Sequence, residues 1–291
     1  MKLLEGKKCL VLGVLNDKSI AWGIVQEMAN QGAELCMTYL GEAGQKRVIP
    51  LAEKLGCKYT LPCDVSNEED MDKLFADIEA KWGKLDCMVH SLAFSDKNEL
   101  KGRFSNTSMK NFEMAMNISC YSLIGLSRRA RPLMVKAGGG SIITMTYYGS
   151  EKVIPHYNVM GVAKAALEAT VRYLAVDLGQ DNIRVNAISS GPVKTMAAAG
   201  IGDFNYMLKY NELNCPLKRN VTIEENGKTA IYLLSDMSSS VTGEILHMDG
   251  GYHVVGMKDP TTENIEIPKE TVENIEASKE ISENTKKPKK I

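Results

Sequence analysis

The sequence predicts an α/β fold: a doubly wound, mostly parallel sheet in a single domain. Three observations predict it. From Lys7 to about Ala187, short β-rich runs alternate with stretches of helical period. The first strand candidate is a continuous apolar run, as in strands covered on both faces. The chain has 291 residues, 44% hydrophobic and 24% charged, enough for one large α/β core.

The elements follow in order. Lys8–Gly13 is a buried parallel strand. Ser19–Asn30 has helical spacing through Ile20, Ile24, Val25 and Met28, with Gly32 as its stop. Ala33–Tyr39 is the next strand, and a helix runs on to about Leu55. Lys58–Val65 is a third strand and Glu68–Trp82 a third helix. Then come a strand at Leu85–Leu92, a long helix at Met109–Ala137, a strand at Ser141–Thr146, a helix at Tyr157–Gly179 and a strand at Ile183–Ser189. This alternation implies right-handed crossovers and a Rossmann-like sheet. After Gly191 the rhythm changes: one or two short helices in Ala197–Asn214, a helix at Thr222–Ser235, and a last strand at Glu244–Asp249. No second core is visible, so residues 1–258 read as one domain.

Residues 259–291 differ in kind. They are rich in Glu, Lys, Asn and Thr and carry an approximate ten-residue repeat, Glu263-Asn264-Ile265, Glu273-Asn274-Ile275 and Glu283-Asn284-Thr285. So few large apolar residues do not offset ordering entropy, and a disordered tail is expected. Formal net charge is −1, with no global attraction to nucleic acid or an anionic membrane. No apolar run spans a bilayer. Met1–Lys8 leads straight into a strand, so no signal peptide is expected. The seven cysteines (Cys9, Cys36, Cys57, Cys63, Cys87, Cys120, Cys215) show no metal spacing, and most lie in apolar runs. That suits buried thiols in a reducing cytoplasm, with no metal site.

Tyr157 and Lys164 stand seven residues apart. On a helix that is two turns along nearly one face, roughly 10 Å along the axis. The pair reads either as an ordinary amphipathic helix or as a phenol donor with a cation behind it, placed to favour developing negative charge. Gly13, after the first strand, and Ser19-Ile20-Ala21, at the next helix start, read as a plain strand–turn–helix or as a dinucleotide phosphate loop. Ser19 is a helix cap or a phosphate donor. The second strand ends in Tyr39-Leu40-Gly41-Glu42, with no acid at its end and no basic residue awaiting a 2′-phosphate. That favours NADH modestly over NADPH. Asp64, at the third strand's end, suits an adenine amino group or initiates a turn. His90-Ser91-Leu92 ends the fourth strand at the ligand-binding edge of this fold.

With these pieces placed, the chain resembles the short-chain dehydrogenase/reductase superfamily. More narrowly it resembles bacterial enoyl-acyl-carrier-protein reductases of the FabI type, from about Gly6 to Met257. The resemblance rests on Gly13 with Ser19-Ile20-Ala21, Cys63-Asp64-Val65, His90–Phe94, Tyr147, Pro155–Gly161 with Lys164, Arg184–Val193, Thr195, and Gly243-Glu244 with Asp249-Gly250-Gly251. Carbonyl-reducing members resemble Tyr-x3-Lys with a serine upstream. Here Gly161 stands four after Tyr157, and Tyr147 lies upstream.

The resemblance implies a catalytic triad of Tyr147, Tyr157 and Lys164. It implies reduction of a trans-2-enoyl thioester carried by acyl carrier protein, with NADH as hydride source. Tyr157 would donate to the thioester oxygen and Lys164 would hold the nicotinamide ribose. Gly13, Ser19, Ile20, Leu40, Asp64, Val65, Ser91, Leu92, Val193, Thr195, Met196 and Ala197 would hold the cofactor. Ser95, Met160, Ile201 and Phe204 would line the acyl site with the two tyrosines. Met196–Met207 resembles the family's small helical substrate lid. A homotetramer is expected, through the two long helices. Three departures stand out: Leu40 replaces a polar residue, Tyr148 adds a second phenol able to crowd the pocket mouth, and the lid keeps only Lys209 and nearby Lys194 as basic residues. The rival readings are a carbonyl-reducing dehydrogenase, such as a 3-ketoacyl reductase, and a non-catalytic dinucleotide-binding scaffold.

Overall fold

The apolar runs become strands of four to eight residues: β1 (Lys8–Leu12), β2 (Glu34–Tyr39), β3 (Tyr59–Pro62), β4 (Cys87–His90), β5 (Gly140–Thr146), β6 (Ile183–Ser190) and β7 (Ile245–Met248). The computed structural model describes residues 2–195 and 204–258. Among these, the strands form one seven-stranded sheet in the order β3-β2-β1-β4-β5-β6-β7. Every pairing is parallel. The order reverses between β1 and β4, which opens a ligand crevice at their carboxyl ends.

Alternate side chains of each strand feed two cores, which is why the runs read as continuously apolar. Leu10 and Leu12 of β1 pack on one face with Leu74, Leu126, Leu167 and Val171. Cys9 and Val11 pack on the other with Ile24, Met28, Leu51 and Leu234. The first face is covered by α3 (Glu68–Trp82), α5 (Ser122–Lys136) and α6 (Asn158–Gly179). The second is covered by α1 (Ile20–Asn30), α2 (Gly41–Lys54) and α8 (Ile223–Leu234). Helices α1 and α8 approach closely because both lack a side chain at the crossing. A Cβ on Gly23 would lie 2.1 Å from the Ile223 carbonyl oxygen, and one on Gly227 2.4 Å from that of Gly23.

Four expected elements need correction. The stretch from Met109 to Ala137 is not one helix. It divides into α4 (Met109–Met116), a π-helical turn (Asn117–Tyr121) and α5. The wider turn brings Ser119 and Ser122 to full burial. There Ser119 Oγ accepts from the Phe94 amide at 3.0 Å, and Ser122 Oγ meets His90. The helix expected from Tyr157 starts one residue later, at Asn158. β3 and β4 are also shorter than their apolar runs, although the Cys63 and Ser91 amides just beyond them still donate to the Tyr39 and Leu12 carbonyls. The tail 259–291 lies outside the described residues. Helix α7 (Phe204–Asn214) follows β6. No helix among the described residues is long and apolar enough to cross a membrane.

Candidate active site

The crevice is built where β1 meets β4. Gly13 leaves β1 with φ of 103°, and a Cβ there would sit 2.0 Å from the Ser91 carbonyl oxygen. Only glycine allows both this conformation and this approach. The Ser91 amide in turn donates to the Leu12 carbonyl at 3.0 Å. Gly13 and Ser91 therefore form one floor. Ser19 occupies the cap position of α1, but its hydroxyl donates to the Asn16 carbonyl at 2.7 Å rather than accepting from a helix amide. The first turn of α1 contains no acidic residue. Ile20 and Ala21 thus lie at the positive end of the helix dipole with no acid in the first turn to offset it. Val65 is buried and Leu92 packs partly against the core. Leu40 is 63% exposed at the start of α2. Asp64 Oδ1 accepts from the Ser66 amide at 2.9 Å and hydroxyl at 2.6 Å. That is the turn-initiating role, and it fixes the carboxylate beside the crevice.

The other end holds Tyr147, Tyr157 and Lys164. Tyr147 follows β5 in extended conformation, before the 3-10 turn Tyr148–Ser150. Tyr157 precedes α6, flanked by His156 and Asn158 with φ of 60° and 37°. These left-handed residues orient Tyr157 locally, so it is not simply the first position of a helix face. Asn158 Nδ2 ties the corner down by donating to the Glu99 carbonyl at 3.1 Å. The Tyr147 and Tyr157 rings meet edge to face, centroids 5.1 Å apart and planes 82° apart. Two glycines make this packing possible. A Cβ on Gly149 would meet the Tyr157 ring at 2.5 Å, and one on Gly161 would meet the Gly149 carbonyl oxygen at 2.8 Å.

Burial pushes both phenols well above the ordinary tyrosine value, so they remain protonated donors at neutral pH. Lys164 is 5% exposed, and its Nζ donates to the Met145 carbonyl at 2.7 Å. Burial lowers its ammonium to about 8, with Glu168 opposing the fall. His90 is fully buried, its ring nitrogens 2.8 Å from Thr144 Oγ1 and 2.8 Å from Ser122 Oγ. Burial and the Lys164 charge bring it down to about 3, so it is a neutral structural link at the base of the site.

Leu100, Ala115, Val159 and Met160 pack around Tyr157, with Tyr147 and Ile154 at the margin. Ser95 Oγ donates to Asn111 Oδ1 at 3.2 Å, fixing the loop after β4. Tyr148 does not join this group. Its ring packs edge-on against Tyr252 at 5.8 Å, which in turn meets Tyr210 of α7 at 6.3 Å. Through Tyr252 it links the end of β5 to α7. Phe204 is half-buried at the start of α7, and Val193 and Thr195 are half-buried beyond β6. Met196, Ala197 and Ile201 lie outside the described residues.

The family described as "Enoyl-(Acyl carrier protein) reductase" matches residues 13–253. The chain belongs to the enoyl-acyl-carrier-protein reductase family. It is 57% identical over 268 residues to "Enoyl-[acyl-carrier-protein] reductase [NADH] 1" of Rhizobium meliloti, covering 92% of this chain and 98% of that one. Among solved structures, the enoyl-acyl-carrier-protein reductase of Anaplasma phagocytophilum in complex with NAD is 59% identical, with a TM-score of 0.85 over 88% of this chain and 97% of that chain. The Bacillus cereus enoyl reductase with NADP+ and indole naphthyridinone is 48% identical, with a TM-score of 0.86 over 88% of this chain and all of that chain.

For a member of this family, the site contains groups that sequence reasoning did not single out: Gly149, Ser119, Ser122 and Glu168. Gly149 carries a detectable signal in its place beside Tyr147-Tyr148. The serines carry none, because the π turn that turns them inward follows from tertiary contacts.

Proposed function

We propose that the chain reduces the carbon–carbon double bond of trans-2-enoyl thioesters on acyl carrier protein with NADH. This is the last reduction of the bacterial type II fatty acid elongation cycle. The observation that carries this reading is the contact between Gly161 and the Gly149 carbonyl. The position four past Tyr157, where a carbonyl reductase places its lysine, has no room for a side chain. The cation comes instead from Lys164, behind two tyrosines in edge contact.

The residues fit a dinucleotide. Gly13, Ser19, Ile20 and Ser91 would border its phosphates. Leu40, Asp64 and Val65 would border the adenosine. Leu92, Val193, Thr195, Met196, Ala197 and Lys164 would hold the nicotinamide end. When bound, NADH supplies the hydride for the β-carbon, and the α-carbon of the resulting enolate takes its proton from solvent or a relay. Reduction of a conjugated thioester moves charge onto its oxygen, and Tyr157, a buried protonated phenol, is the donor for that oxygen. Tyr147 presses on the Tyr157 ring and would bound the acyl site with Met160, Ser95 and Phe204, and the expectation for Ile201 falls outside the described residues. Lys164 adds positive potential behind the developing enolate.

We further assign docking of the acidic carrier to exposed Lys194 and Lys209. Replacing both with Glu raises KM for carrier-bound substrate, and an unchanged KM contradicts the docking patch. Apolar side chains left exposed on α6 (Val162, Tyr173, Val176) and on α5 with its preceding turn (Tyr121, Ile124, Val135) support a homotetramer. We assign the protein to the cytoplasm, residues 1–258 to the catalytic unit and 259–291 to a tail. The test of function is oxidation of NADH and NADPH with crotonyl and 3-ketoacyl thioesters side by side. Turnover of the enoyl substrate with NADH is expected; turnover of the ketoacyl substrate alone contradicts the reading.

A further inference from the structure

Lys164 is almost wholly removed from water, yet a cation holding a ribose and favouring an enolate must keep its charge. A buried ammonium needs a compensating group. One helical turn further along α6 stands Glu168, itself only 6% exposed. Residues four apart share a helix face. The Glu168 carboxylate is tied to a different segment. Its Oε1 accepts from Thr146 Oγ1 at 2.6 Å and from Ser150 Oγ at 2.5 Å. Those two hydroxyls bracket Tyr147 and Gly149, the residues that seat the Tyr157 ring.

We propose that Glu168 is a positioning residue for the reaction: its carboxylate stands one helical turn from Lys164 on α6, and its two hydroxyl bonds fasten the Tyr147 segment to that helix. The proposal rests on the reading of Lys164 and the tyrosines given above. Other titratable groups interacting with Lys164 are His90 from β4 and Cys120 from the π turn, and Glu168 also acts on Tyr157. Glu168 is the carboxylate among them. It opposes the effect of burial on Lys164.

Two substitutions separate the charge from the clamp. Glu168→Gln keeps an oxygen for both hydroxyls and removes the charge. Removing a nearby anion lowers a cation's pKa, so the alkaline limb of NADH binding and of kcat/KM moves down by about one pH unit. Ser150→Ala keeps the charge and loses one clamp bond; its limb stays in place while kcat falls. Glu168→Asp, which restores the charge, returns the limb to the wild-type position. NADH binding followed by fluorescence needs no turnover. An inactive wild-type enzyme therefore counts against the proposed function and still leaves the Glu168 test readable. Glu168→Gln with a wild-type alkaline limb, both in NADH binding and in kcat/KM, overturns the proposal.

Discussion

The two ends of the crevice are built on opposite principles. At the β5–α6 end, Tyr157, Lys164, Glu168 and His90 are all nearly or fully buried, and each is held by specific bonds or ring contacts. At the β2–β3 end, Leu40 is open to solvent and Asp64 sits in an ordinary turn. Burial magnifies electrostatics and exposure damps them. The buried end should therefore govern rate and pH dependence, and the open end only cofactor affinity.

The largest effect belongs to the buried phenol. Tyr157→Phe should lower kcat roughly 10²–10³-fold, the usual cost of one oxyanion donor, with KM for NADH little changed. Near-normal turnover would remove Tyr157 as the main donor. Next comes the packing that seats it. Gly161→Ala puts a methyl group against the Gly149 carbonyl and should cost about 1–3 kcal/mol, as overpacking does. Urea unfolding measures this, and an unchanged midpoint contradicts the close approach.

His90 gives a smaller effect with a definite sign. Its folded pKa lies below the unfolded value, so the unfolded chain binds the extra proton between the two. Its contribution to stability is complete above the unfolded value and is lost as pH falls from there toward about 3. Wild type should therefore lose more Tm between pH 7 and pH 4.5 (about the middle of that window) than His90→Gln does. Equal losses would mean that His90 is not held neutral by its surroundings. The smallest effect is expected at the open end. Leu40→Ala should change KM for NADH by less than about tenfold, within 1.4 kcal/mol, and leave kcat alone. A kcat loss matching that of Tyr157→Phe would break the comparison between the two ends.

Legibility in the sequence followed the same division. Helix α3 was readable from end to end because its signals are local. Asn67 caps it, three acids fill its first turn, and Gly83 ends it in left-handed conformation. The strand alternation likewise placed Gly13, Ser91 and Tyr147 at the carboxyl edge. The π turn at Asn117–Tyr121 was not readable, because no Gly or Pro marks it and its cause is tertiary: Ser119 reaches the Phe94 amide and Ser122 reaches His90. The left-handed corner around Tyr157 falls on His156 and Asn158, where no glycine announces it. Glu168 carries little signal in the sequence because a glutamate on a long helix ordinarily faces water. Its spacing from Lys164, between Leu167 and Val171, was the available clue.

The central claim is that hydride reaches the β-carbon of an enoyl thioester, with Tyr157 serving the oxygen. Deuteride transfer tests it directly: crotonyl thioester is reduced with NADH labelled at the nicotinamide C4, and the product is read by NMR. The account predicts a saturated acyl thioester with deuterium at the β-carbon. No labelled saturated product from the enoyl thioester, with deuterium appearing instead on the carbinol carbon of a parallel 3-ketoacyl reaction, would contradict it.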